Sequence, residues 1–137
     1  MPFNTRQATD ERKILDGVTL TAAYSGNTSA AHECRSVGSF TIIPVYAAHA
    51  SSPSANAELQ IEFSPDGTNY SPTGTWNDGG SGEMSYTAET YNIDQTNKYP
   101  QIVLNALGRW MRIKVREQGH VASNFGTISV YVYSSNV

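Results

Sequence analysis

Hydrophobic and polar residues alternate along much of this chain with a period of two, the repeat of a β-strand with one buried face. The clearest unit is 57–63, where Leu59, Ile61 and Phe63 alternate with Glu58, Gln60 and Glu62. In 109–117, Met111, Ile113 and Val115 share one face and Arg112, Lys114 and Arg116 the other. In 125–133, Ile128, Val130 and Val132 oppose Thr127, Ser129, Tyr131 and Tyr133. The nine apolar residues of these three stretches are the predicted core. Val18, Leu20 and Ala22 form a shorter alternating run, and 37–46 is apolar on both sides, as in a fully covered strand that Pro44 bends or places at an edge. The stretches 70–76, 83–93 and 99–105 bring the total to about eight strands with turn signals every 8–12 residues or so.

Turn chemistry separates these runs. Asp66 and Gly67 are the turn-forming pair after 57–63, because glycine accepts positive φ without a Cβ clash. Glycine-rich 77–82 and the pairs Gly119–His120 and Asn124–Gly126 punctuate the rest. Long strands without convincing helices predict an all-β fold: an antiparallel two-sheet sandwich, jelly-roll-like. Residues 17–137 are read as one domain, preceded by an extended polar N-terminal arm, residues 1–16. Within the arm, 9–17 has the composition for one or two helical turns, with Thr9 as N-cap and Gly17 as stop. So polar a segment has little apolar surface to hold itself down, and docking on a neighbouring subunit or on its own domain is expected.

Composition narrows the class. The chain has 137 residues, 39% hydrophobic and only 15% charged, with a net charge of −3. An acidic chain of this kind does not suggest a nucleic-acid coat. One cysteine, Cys34, excludes an internal disulfide and reads as a small core residue. The first residues lack the apolar region of a secretory signal, and no apolar run reaches the ~18 residues of a membrane helix.

Catalytic patterns are sparse. His32 and Cys34 would share a strand face, yet a metal site needs three or four ligands. Asp66, Asn69, Asp78 and Glu83 lie in or beside glycine-rich loops where calcium ligands often sit, without the spacing of an EF-hand. No nucleophile-elbow, P-loop or dinucleotide fingerprint is present. No enzyme activity, cofactor or metal is expected. The basic stripe Arg112, Lys114 and Arg116, with Arg109 and Trp110 at its start, suits ion pairing with Glu58 and Glu62, contact with an acidic protein, or stacking on nucleic acid. Trp110, Arg112, Lys114, Arg116, Tyr131 and Tyr133 are the candidate interface residues, since exposed aromatics on a strand favour interfaces.

The hairpin at 64–70, from Ser64 through Asp66 and Gly67 to Tyr70, resembles one found in many small β-sandwich proteins of tailed bacteriophages. The stretch 108–115, with Gly108, Trp110 and Ile113, followed by 126–132, is similar to their C-terminal hairpin. The likeness covers about half the chain, from Glu58 to Tyr133. It implies a structural virion protein, most of all a capsid decoration (cement) protein that stabilises the assembled head. Its partners would be the major capsid protein and copies of itself, as a homo-oligomer such as a trimer. It would be made in the host cytoplasm and located on the capsid surface. Phe3, Asn4, Arg6, Asp10, Arg12 and Lys13 are then the candidate capsid-docking residues of the arm. The alternative is a discoidin-like carbohydrate-binding module or a tail or fibre component, because such modules carry a similar hairpin. Tyr70, Trp76 and Trp110 would then form the sugar platform, with Asn77 and Asp78 for polar contacts.

Overall fold

The computed structural model describes residues 9–34, 38–95, 100–106 and 108–135. These residues form eleven strands and one short 3-10 turn, Tyr24–Gly26. The strands are β1 (Thr9–Thr19), β2 (His32–Glu33), β3 (Ser39–Ala47), β4 (Asn56–Ser64), β5 (Ser71–Pro72), β6 (Gly74–Asp78), β7 (Met84–Ala88), β8 (Tyr91–Ile93), β9 (Ile102–Asn105), β10 (Trp110–Gln118) and β11 (Thr127–Ser135). No described helix is long and apolar enough to cross a membrane.

Two antiparallel sheets face each other. One has the order β1-β11-β3-β9; the other has β2-β10-β4-β5, with β8 also on β4. The fold is an all-β, antiparallel two-sheet sandwich. The β10–β4 and β11–β3 pairs keep register throughout: β10 lies along β4 from Trp110 opposite Ser64 to Gln118 opposite Asn56. Every one of the nine predicted core residues is buried, and Leu59, Ile61, Met111, Ile113, Val115 and Val130 are inaccessible. Leu15, Leu20, Phe40, Ile42, Ile93 and Ile102 complete the layer between the sheets. Complete burial of one such side chain contributes about 1.5–3 kcal/mol.

Three sequence expectations change. The helical turns at 9–17 are absent, because 9–19 is strand β1 on the edge of its sheet, with Thr9 opposite Ser135 and Thr19 opposite Thr127. Pairing with β11 satisfies backbone groups that a solvated arm would leave to water, and inward Leu15 and Leu20 outweigh the helix-forming composition. Register shifts between Lys13 and Val18 mark bulges, a device common on edge strands. Second, 39–47 alternates rather than being covered equally: Phe40, Ile42 and Tyr46 are buried, whereas Ile43 and Val45 are half-buried on the outer side. Pro44 lies past Ile42, the last β3 residue that β9 pairs, so its missing N–H costs no bond on that side. Third, the runs 70–76 and 83–93 each break in two.

That break shapes the molecule. β5 pairs β4 at Glu62 and Phe63, and β8 pairs the same side of β4 at Ala57 to Leu59. Both run antiparallel to β4, so they are two halves of one lane. Thr73 N–H donates to Ile61 O (2.9 Å), and Glu89 N–H donates to Thr73 O (2.8 Å). Between them β6 and β7 leave the lane as a separate two-stranded ribbon.

Candidate docking surface

The outer face of β10 is a ladder of paired charges. Arg112 Nε lies 2.7 Å from Glu62 Oε1, Lys114 Nζ 3.1 Å from Glu62 Oε2, and Arg116 Nη2 3.1 Å from Glu58 Oε2. Register puts Arg112 opposite Glu62 and Arg116 opposite Glu58, which is why the pairs form. Tyrosine rings add a second tier: the Arg112 guanidinium stands 4.0 Å from the centre of Tyr70, and Arg116 and Lys114 stand 4.7 and 5.0 Å from that of Tyr24. Burial pushes the Tyr24 phenol above its ordinary value. Of the readings open for the stripe, cross-strand ion pairing is the one this geometry contains.

Trp110 is half-buried at the start of the ladder and closes over the turn. A Cβ on Gly67 (φ +79°) would fall 3.3 Å from its indole nitrogen. Asp66 Oδ1 accepts the N–H groups of Thr68 and Asn69 (both 2.8 Å) and the Ser64 hydroxyl (2.9 Å), and Oδ2 accepts Asn69 Nδ2 (2.7 Å). These bonds, the backbone ones foremost, hold the Asp66 carboxyl well below the usual range. Asp66, Asn69 and Gly67 therefore organise the 64–70 turn. Asp78 accepts Gly80 N–H (2.9 Å), and among the described residues no three His, Cys, Asp or Glu side chains gather as metal ligands.

The other nominated residues lie apart. Tyr131 and Tyr133 are half-buried on the outer face of β11, which β1 and β3 flank; Lys13 Nζ sits 5.2 Å from the Tyr131 ring centre and 2.8 Å from Asp16. Arg12 and Asp10 are register partners of Val132 and Ser134, while Phe3, Asn4 and Arg6 lie outside the described residues. Cys34 is buried, and burial pushes its thiol up to about 11, so it stays protonated at neutral pH. His32 meets Phe40 edge-on. Tyr70, Trp76 and Trp110 have separate partners: Arg112, Tyr86 and the Gly67 turn. Asn77 points away from Trp76 and donates to Thr87 Oγ1 (2.9 Å).

The β6–β7 ribbon is built differently. In its register Gly74, Trp76 and Asp78 stand opposite Ala88, Tyr86 and Met84 on one face; Thr75 and Asn77 stand opposite Thr87 and Ser85 on the other. The ribbon is amphipathic with its apolar face open: Trp76 is 64% exposed, Met84 56% and Tyr86 42%. Trp76 and Tyr86 meet edge to face with centroids 5.1 Å apart. The Tyr86 hydroxyl donates to Pro72 O, tying the ribbon to its base. Gly74 makes the exit feasible, since a Cβ there would overlap the Thr87 carbonyl and sit 2.9 Å from Ala88 Cα.

A groove of about 510 Å³ runs beneath, lined by Pro72, Tyr86, Glu89, Tyr91, Val103 and Leu104. It lies between the β5–β8 edge of one sheet and the β9 edge of the other, where Val103 is 68% exposed. Burial and the hydrogen bond from the Tyr91 hydroxyl to Glu89 Oε2 (3.0 Å) raise the Tyr91 phenol. Open aromatic and aliphatic side chains beside a groove are the chemistry of docking on another macromolecule.

One residue escaped the sequence reading altogether. Glu117 is fully buried; its Oε2 accepts the Tyr46 hydroxyl (2.6 Å) and Gly126 N–H (2.9 Å). Burial, followed by this carboxylate, raises the Tyr46 phenol. Parity was the available signal, because residue 117 continues the inward series of Met111, Ile113 and Val115.

No family model, curated protein or solved structure matches this chain.

Proposed function

We propose that this chain is a structural, non-catalytic component of a bacteriophage particle, a decoration protein that binds the assembled capsid and copies of itself. The observation that carries the reading is the uncovered apolar face of the β6–β7 ribbon, which serves no purpose inside the sandwich and suits a surface that docks. Four of the carboxylates have structural partners: Asp66 in its turn, Glu58 and Glu62 in the ladder, and Glu117 with Tyr46 and Gly126. The path of the chain supports the jelly-roll reading of the sandwich. It alternates between sheets through β1, β2, β3 and β4, and again through β8, β9, β10 and β11. The likeness of 64–70 and 108–132 to phage β-sandwich proteins points the same way. Capsid docking by the segment before Thr9 belongs to the same proposal.

Mass spectrometry of purified particles from a culture producing this chain, followed by cryo-electron microscopy, tests the reading. Many copies on the outer surface are expected. Particles that lack the protein, combined with binding of the purified chain to glycans through Trp76, would replace decoration with carbohydrate binding.

A further inference from the structure

The open face of the β6–β7 ribbon lies in a stretch of one sign. From Ser64 to Asn97 the chain carries Asp66, Asp78, Glu83, Glu89 and Asp94 and no Lys or Arg. The remainder has nine bases against seven carboxylates, a formal +2. Asp78 and Glu83 flank the ribbon tip, and Glu89 stands in the groove at its base. The complementary sign is gathered on the outer face of β10. There Arg112, Lys114 and Arg116 share Glu58 and Glu62, and Arg109, just before β10 and 54% exposed, lies 3.6 Å from Glu33, so four cations face three carboxylates.

We propose that the ribbon of one copy docks on the β10–β4 face of a second copy. The inference rests on the docking role above and names its partner. Trp76 and Tyr86 offer π-faces to guanidinium groups, which already stack on Tyr24 and Tyr70 within the same chain. Two ribbons meeting face to face would instead bring Asp78 and Glu83 of both copies together with no Lys or Arg on either ribbon, an arrangement that costs free energy. A head-to-tail contact joins different patches on the two copies, and it closes into a ring when the rotation permits. Apolar contact supplies the affinity; the charges set register and encounter rate.

Sedimentation of the full-length protein at low and high salt tests this. The wild type should associate, more weakly as salt rises. Trp76→Ser, which removes the ribbon's central side chain, and Arg109→Glu, which reverses the exposed end of the row, should each weaken association about tenfold or more. Glu83→Lys gives a second ribbon variant at an exposed position, and the unfolding midpoint of every variant checks its fold. Mixing Trp76→Ser with Arg109→Glu should restore one-to-one pairs, because one copy keeps an intact acceptor and the other an intact ribbon. A monomeric wild type, association untouched by Trp76→Ser and Glu83→Lys, or a mixture that fails to pair would overturn the proposal. Particle binding by a monomer sinks this inference alone, whereas an oligomer that binds no particle sinks decoration and leaves the contact standing.

Discussion

On β4 and β10 the apolar side chains point into the sandwich, and each outward charge meets its opposite across the strands. On β6 and β7 the apolar side chains point out, and the acids at the tip have no Lys or Arg nearby in sequence. Both are antiparallel pairs with aromatic and charged residues on an outer face. The difference is what lies behind each: β4 and β10 have a second sheet to cover their inner face, and the ribbon has none. Alternation alone therefore marks a strand pair; the layer behind it decides between core and open surface.

Breaking the core side of this contrast should have the largest effect. Ile113→Ala should lower unfolding free energy by about 2–5 kcal/mol in urea titrations, through lost burial and a residual cavity. A change below about 0.5 kcal/mol, the scale of ordinary surface substitutions, would deny that β10 lines the core.

Next comes the ladder. Glu62→Ala leaves Arg112 and Lys114 without their shared carboxylate and should cost about 1–3 kcal/mol by the same measurement. If the loss matches that of a plain surface change, the ladder is a solvated ornament.

Asp66 should act more weakly and with a pH signature. Its folded-state acidity is stronger than in the unfolded chain, so its contribution is present above the ordinary carboxylate pKa of about 3.9 and is lost as pH falls toward the lower folded value. The melting gap between wild type and Asp66→Ala should be full at neutral pH and close in acid. A gap independent of pH would show that shape, not charge, holds the turn. Asp66→Asn should also be felt, because its amide nitrogen would face Asn69 Nδ2 where a carboxylate oxygen now accepts.

Trp76→Ser should have the smallest effect on stability, within about 0.5 kcal/mol, while weakening self-association about tenfold or more. A large loss of stability would mean that the ribbon braces the sandwich after all.

Much of the sandwich was legible because inward positions 59, 61, 63, 111, 113, 115, 128, 130 and 132 are apolar and of fixed parity. The charge ladder was legible for the same reason, through Glu58 and Glu62 opposite the basic stripe. Thr9 to Asp16 misled, since a short charged run looks helical until β11 offers a partner. The stretches 70–76 and 83–93 read as ordinary strands, because nothing local states whether a second sheet lies above them. The ribbon's acids read as loop residues, and the absence of Lys and Arg from 64 to 97 emerges only when that stretch is taken as a whole. Glu117 was hidden by residue type: a carboxylate at an inward position is readable only once Tyr46 and the Gly126 N–H stand beside it.

The doorway between Thr73 and Glu89 makes this molecule a socket. The backbone leaves and rejoins at neighbouring points, and one hydrogen bond holds them together (2.8 Å). Whatever is threaded between these two residues is invisible to the registers of β5 and β8, because both are set by β4. A cassette of another length or composition can occupy the same opening without renegotiating the core.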